Sequence, residues 1–267
     1  MKITIKVPGS CGEIIQGMFH NTEPFLMTCP INLFSTVTIS DEFHEMIGLG
    51  WKVELMIKKV LQYLECNKFN FGVEIKSALP RGKGMASSSA DLAAAAKAVS
   101  LSLGFDLSAI EIAKLATTIE PTDGIFFDRI VSMNPLNGEI FSEIKNFREY
   151  KIAVFDFGGK IDTINVERRS DFCVESLPKM IDFDLMIKSA LFNQKFFYKP
   201  ELEKIIDFAL KFDALGLNVA HTGTVAGIFF DESMSFKDIE SIAEIINKKF
   251  PHIKFLTTTK LISGGFY

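Results

Sequence analysis

The chain has 267 residues, 48% of them hydrophobic and 23% charged, with a formal net charge of −4. Those values fit one large or two modest folded units and exclude a disordered chain, a collagen-like repeat and a disulfide scaffold. With no basic field to hold a polyanion and no run of about 18 apolar residues, neither nucleic acid nor a membrane is an expected partner.

Four cysteines (Cys11, Cys29, Cys66 and Cys173) lie far apart without a C-x-x-C pair, so they read as reduced thiols. The first ten residues, MKITIKVPGS, lack the apolar stretch of a secretion signal, which makes the cytoplasm the expected location. Residues 2–7 alternate as a strand does, and Pro8-Gly9 reads as its end. A second strand is expected within residues 31–39, an amphipathic helix over 51–64 and a strand over 69–75. The chain then enters PRGKGMASSSAD, residues 80–91, and an alanine-rich helix expected over 87–103 and stopped by Gly104. Ser108 and Glu111 carry the spacing of a capping box for a helix over 108–119. Beyond Pro121 the pattern is that of a hairpin, with strands over 125–133 and 139–144 about a turn at 134–138. The second half alternates: a strand over 151–155, helices over 175–192 and 200–211, strands over 217–220 and 225–230, a helix over 236–250 and a strand over 253–257. This is an α+β pattern, with a division expected near residue 147 into segments 1–147 and 148–267.

The stretch at 80–91 is neither a G-x-x-x-x-G-K-[ST] loop nor a G-x-G-x-x-G fingerprint. A glycine loop opening a helix presents unpaired N–H groups and the positive end of the dipole, a place for phosphate with hydroxyls at hand for a cation. Simple capping by Ser87 or Ser88 explains the loop equally well. Three further clusters tilt the balance: Pro8-Gly9-Ser10-Cys11-Gly12-Glu13-Ile14-Ile15-Gln16-Gly17, Glu120-Pro121-Thr122-Asp123-Gly124 and Ala220-His221-Thr222-Gly223-Thr224-Val225-Ala226-Gly227.

In this order the four segments resemble the motifs of the GHMP kinases, the superfamily of galactokinase, homoserine kinase and mevalonate kinase. Within it, PGSCGEIIQG, GKGMASSSAD, EPTDG and AHTGTVAG look like the L-threonine kinases of cobalamin synthesis and propanediol utilisation. The resemblance implies a fold in which an N-terminal domain like domain 2 of ribosomal protein S5 joins a ferredoxin-like C-terminal domain. It implies ATP and Mg²⁺ as cofactors and a small hydroxylated acceptor, with L-threonine first and homoserine as the alternative. A homodimer is compatible with it, and a non-catalytic S5-like module is the rival from another class. Carried onto this chain, it places the ATP phosphates against Pro80, Arg81, Gly82, Lys83, Gly84, Met85, Ala86, Ser87, Ser88 and Ser89, with Lys83 as auxiliary charge. It makes Ser88 and Glu120 the metal ligands. Ala86 stands where the family carries glycine, and the segment that bears the catalytic aspartate of some members is missing. Asp123 is therefore set near the acceptor hydroxyl by its position beside Glu120. An amino-acid acceptor needs a partner for its ammonium, for which Glu13 is the candidate, and donors for its carboxylate, for which Ser10, Cys11, Gly12, His221 and Thr222 are the candidates. Asp162 is a further residue able to face the substrate.

Overall fold

A computed structural model describes residues 1–20, 22–158 and 172–267. Asp162 therefore lies outside the described residues. Two 18-residue strands, β1 (Lys2–Phe19) and β2 (Glu23–Ser40), form the antiparallel spine of the molecule. Pro8-Gly9 does not end the first strand, contrary to expectation. Register shifts between Pro8 and Gly9, between Ser10 and Glu13 and between Glu13 and Ile15 absorb the proline and re-aim the side chains that follow, as β-bulges do.

The short β3 (Met46–Ile47) and helix α1 (Trp51–Tyr63) precede β4 (Gly72–Ser77), which pairs with β2. Helix α2 (Ser87–Ser102) follows. Ala90, Ala93, Ala94, Ala95, Ala96 and Ala98 are all fully buried, so α2 is buried on most of its faces, and its small side chains let it lie closely between the sheet and its neighbours. Helix α3 (Ala109–Thr117) starts with the expected capping box: the Ser108 side chain accepts from the Glu111 amide and the Glu111 carboxylate accepts from the Ser108 amide.

The hairpin β5 (Ile130–Met133) and β6 (Ile140–Ile144) is shorter than its pattern suggests. Residues 125–129 stay out of the strand, and at their start the Gly265 amide takes the Ile125 carbonyl, at 3.0 Å. In the second half come β7 (Tyr150–Asp156), β8 (Cys173–Val174), α4 (Phe183–Asn193), α5 (Leu202–Leu210), β9 (Gly216–Val219), β10 (Val225–Asp231), α6 (Phe236–Lys249) and β11 (Lys254–Lys260). Helix α4 begins eight residues later than its apolar pattern suggests. Pro178 interrupts the segment, and the Asp182 side chain caps the helix by accepting from the Leu185 amide at 2.9 Å.

The main run of the sheet is ordered β11-β7-β10-β9-β1-β2-β4-β3. One core lies between α1, α2, α3 and the β1–β2–β4 face, and another packs α5 and α6 against β7, β9 and β10. Both halves thus share one sheet, joined where Glu13 of β1 pairs with Val219 of β9.

Candidate active site

The three glycine clusters meet at this junction through backbone contacts that leave no room for side chains. Gly84 has φ +82°, and a Cβ there would lie 2.5 Å from the Ala220 Cβ and 2.8 Å from the Gly223 Cα. Gly12 has φ +62°, and a Cβ there would lie 2.4 Å from the Val219 carbonyl carbon. Hydrogen bonds close the knot: the Ser10 amide donates to the Met85 carbonyl at 3.0 Å and the Thr224 amide to the Lys83 carbonyl at 2.9 Å. Around it opens a cleft of about 660 Å³, lined by the start of α2 and by Glu13, Glu120, Asp123, His221 and Thr222, among others.

At one end stands the N-terminus of α2. Its N-cap is Ala86, in the left-handed region at φ 54°, with no side-chain cap. The serines therefore do not cap the helix, which corrects the simplest reading of the loop. The Ser88 hydroxyl instead donates to one oxygen of Glu120, and the Lys52 ammonium holds the other. The Ser89 hydroxyl donates to Asp123 Oδ2 at 2.8 Å and accepts from the Asp123 amide at 3.3 Å. The short turn after α3 delivers both acids: the Glu120 amide still bonds the Ala116 carbonyl, and the Thr122 amide is pinned to the Pro135 carbonyl at 3.0 Å.

Further in, Glu13 is buried, with Oε2 lacking a hydrogen-bond partner. Burial holds its carboxyl well above the ordinary value of 4.5, and the nearby Asp123 charge pushes it further in the same direction. Asp91, one turn into α2, is also raised by burial, although Ser35 donates to it and the Arg81 guanidinium lies 3.6 Å away.

Of the residues expected to hold phosphate, Arg81, Gly82, Gly84, Met85, Ala86, Ser87, Ser88 and Ser89 line the cleft, whereas Pro80 and Lys83 do not. The Lys83 ammonium lies 2.8 Å from Asp156 on β7. Ser10, Cys11 and Gly12 do not line the cleft either. Cys11 is fully buried, and burial, reinforced by the Glu13 charge, pushes its thiol far up, so it is no nucleophile. Lys52, Trp51, Asp91, Leu26 and Gln16 were not singled out by their sequence. Lys52 and Trp51 carried only the signal of an amphipathic helix start, and Gln16 sat unremarked inside the first cluster.

The fitness of the residues for a cation rests on their charge and donor set. Glu13, Asp91, Glu120 and Asp123 line the cleft against the cations Lys52 and Arg81. A polyphosphate entering alone would be repelled. The described residues hold no group of three or more His, Cys, Asp or Glu side chains placed to bind a metal. Ser88 and Glu120 therefore offer a hydroxyl and a carboxylate, a partial oxygen shell of the kind that Mg²⁺ completes with phosphate and water.

The model of the GHMP kinases N terminal domain matches residues 53–132. The chain carries a GHMP kinase N-terminal domain. That match spans most of α1, β4, α2, α3 and most of β5, including the loop at 80–89 with Ser88, and Glu120 and Asp123. Over its whole length the chain is similar to the L-threonine kinase of Salmonella typhimurium, 28% identical with 97% of this chain and 93% of the relative covered. It is also similar to the L-threonine kinase of Citrobacter freundii, 25% identical with 91% and 90% covered. The fold is that of solved GHMP kinases. The mevalonate kinase of Methanococcus jannaschii superposes with a TM-score of 0.68 at 16% identity, over 98% of this chain and 99% of that one. The homoserine kinase of Cytophaga hutchinsonii does so with 0.60 at 16% identity, over 100% and 96%.

Proposed function

We propose that this GHMP kinase transfers the γ-phosphoryl group of ATP to the side-chain hydroxyl of L-threonine, giving O-phospho-L-threonine. The observation that carries the reading is the polarity of a single cleft. One end offers the uncapped amides of α2, suited to an anion, and the other offers Glu13, a buried carboxylate with an unpartnered oxygen, suited to an ammonium. A nucleotide and an amino acid satisfy both ends at once. The names of the two relatives, each similar over at least nine-tenths of the chain, select L-threonine among amino acids.

In this reading the loop amides from Gly82 to Ser89 would hold the phosphates, and Ser88 and Glu120 would hold Mg²⁺, which would supply positive charge against the phosphate oxygens. Lys52 keeps Glu120 in place. Asp123, fixed by Ser89, receives the proton of the acceptor hydroxyl, and Glu13 takes the ammonium. Phosphoryl transfer asks mainly for positioning and charge compensation, so this set suffices. The roles proposed for Lys83, Ser10, Cys11 and Gly12 become indirect: they build the knot from which the loop is hung.

The test is ADP release with L-threonine, L-serine and L-homoserine, each with and without Mg²⁺. Turnover highest with L-threonine and dependent on Mg²⁺ is expected. Turnover confined to homoserine would replace the acceptor, and no turnover with any of the three would remove the kinase reading.

A further inference from the structure

Gln16 is buried in β1 and takes part in a polar network beside the cleft through both its side chain and its backbone. Its Nε2 donates to the Val219 carbonyl at 3.3 Å, while its Oε1 accepts from Asn193 Nδ2 of α4 at 3.0 Å and stands 2.6 Å from His221 Nδ1. Its backbone is clasped as well. The Gln16 amide donates to the Ser189 hydroxyl at 2.9 Å, and that hydroxyl donates to the Gln16 carbonyl at 3.0 Å.

The partners decide the orientation of the amide. Turned over, Gln16 would set its oxygen against the Val219 carbonyl and its NH₂ against the Asn193 NH₂, two repulsive contacts in place of two bonds. The atom facing His221 is therefore an oxygen, and an amide oxygen only accepts. His221 Nδ1 must carry a proton whatever the charge of the ring. Asn193 Nδ2 also donates to the His221 carbonyl at 3.2 Å, so the residue is held through both its ring and its backbone. His221 lines the cleft together with Glu13, whose strand partner is Val219, two residues away.

We propose that Gln16 is a positioning residue that fixes His221 as the Nδ1–H species at the acceptor end of the cleft, and that acceptor binding depends on this. The inference rests on the proposed function, because it takes that end to hold an amino acid. It explains why β1 continues past its bulges: the strand carries Glu13 and Gln16 to one end of one site, the first for the ammonium and the second to orient the imidazole. Unassisted, a neutral imidazole prefers the proton on Nε2, so the network imposes the minority form.

The chain has four histidines, so long-range ¹H–¹⁵N correlation on histidine-labelled full-length protein reads the ring state directly. A His221 Nδ1–H in the wild type supports the proposal, and a bare Nδ1 overturns it without any variant. Addition of the best acceptor from the ADP-release panel is expected to shift the His221 ring nitrogens. Turnover with those nitrogens unmoved sinks the positioning role alone, whereas a panel without turnover sinks the kinase reading. In kinetics, Gln16→Leu is expected to raise the acceptor KM about tenfold, the scale of one buried hydrogen bond, with the KM for ATP not rising in parallel. A folded Gln16→Leu with an unchanged acceptor KM, or with both KM values raised together, overturns the proposal.

Discussion

Glu13 is buried against its own electrostatics, and the cost has a measurable sign. Its folded-state pKa is raised, so between the ordinary carboxylate value of 4.5 and the folded value the native protein binds more protons than the unfolded chain. Stability contributed by this group therefore falls as pH rises through that window and stays lower above it. Glu13→Gln removes the penalty: thermal unfolding is expected at a higher Tm than wild type at about pH 8, with the difference shrinking towards about pH 5. The same variant is expected to raise the acceptor KM, and a Tm gain without that rise would argue for a purely structural glutamate. Glu120 is held by Ser88 and Lys52. Glu120→Gln keeps the shape and loses the charge, so kcat is expected to fall by about a hundredfold or more while the circular dichroism spectrum is retained.

At the level of elements, the loop at 80–89, proposed to hold phosphate, is defined by backbone geometry more than by side chains. Ala86 holds a left-handed conformation that glycine adopts freely, at φ 54°. Replacing alanine by glycine ordinarily costs about 0.5–1 kcal/mol in a helix, but here Ala86→Gly is expected to leave stability unchanged or improved in urea titration. Gly84→Ala is its counterpart. A methyl group there meets Ala220 and Gly223 and keeps a positive φ, so a loss of more than about 1 kcal/mol is expected, together with weaker ATP binding as the two loops part. The serines show how one run of hydroxyls divides its work. Ser88 and Ser89, adjacent in α2, point to Glu120 and Asp123, which the turn after α3 holds three residues apart.

Across the whole molecule, the continuous sheet makes the cleft a junction between halves. Lys83 reaches from the loop at 80–89 to Asp156 on β7, a strand of the second half. Burial alone would raise Asp156, but the Lys83 ammonium and the Gly158 amide outweigh it and hold the carboxyl below its ordinary value. A depressed folded pKa contributes stability at neutral pH that is lost as pH falls through the ordinary value of 3.8 towards the folded value. Asp156→Asn is expected to lower stability at neutral pH and to flatten the acid limb of the stability curve. An acid limb identical to wild type would show that the bridge carries none of the coupling. Among the described residues no helix is long and apolar enough to cross a membrane.

The features legible in the residues alone are those set by short spacings. The capping box at Ser108 and Glu111, the alanine run of α2, the amphipathic α1 and the four motif segments all depend on neighbours a few positions apart, where propensity and periodicity act directly. The resemblance of those segments, in that order, to a known family anticipated the fold and the roles expected of Ser88 and Glu120, and position within the segments added Asp123 and Glu13 to the same reading. What the segments do to one another belonged to the tertiary structure. Lys52 reaches Glu120 across 68 positions and Gln16 reaches His221 across 205, and no local pattern marks either partner. Pro8-Gly9 looks like a strand end because proline removes a donor, yet pairing with β2 tolerates it through a bulge. Spacing along the chain selects local conformation, whereas only packing decides which buried oxygen faces which donor, and in this cleft those pairings carry the chemistry.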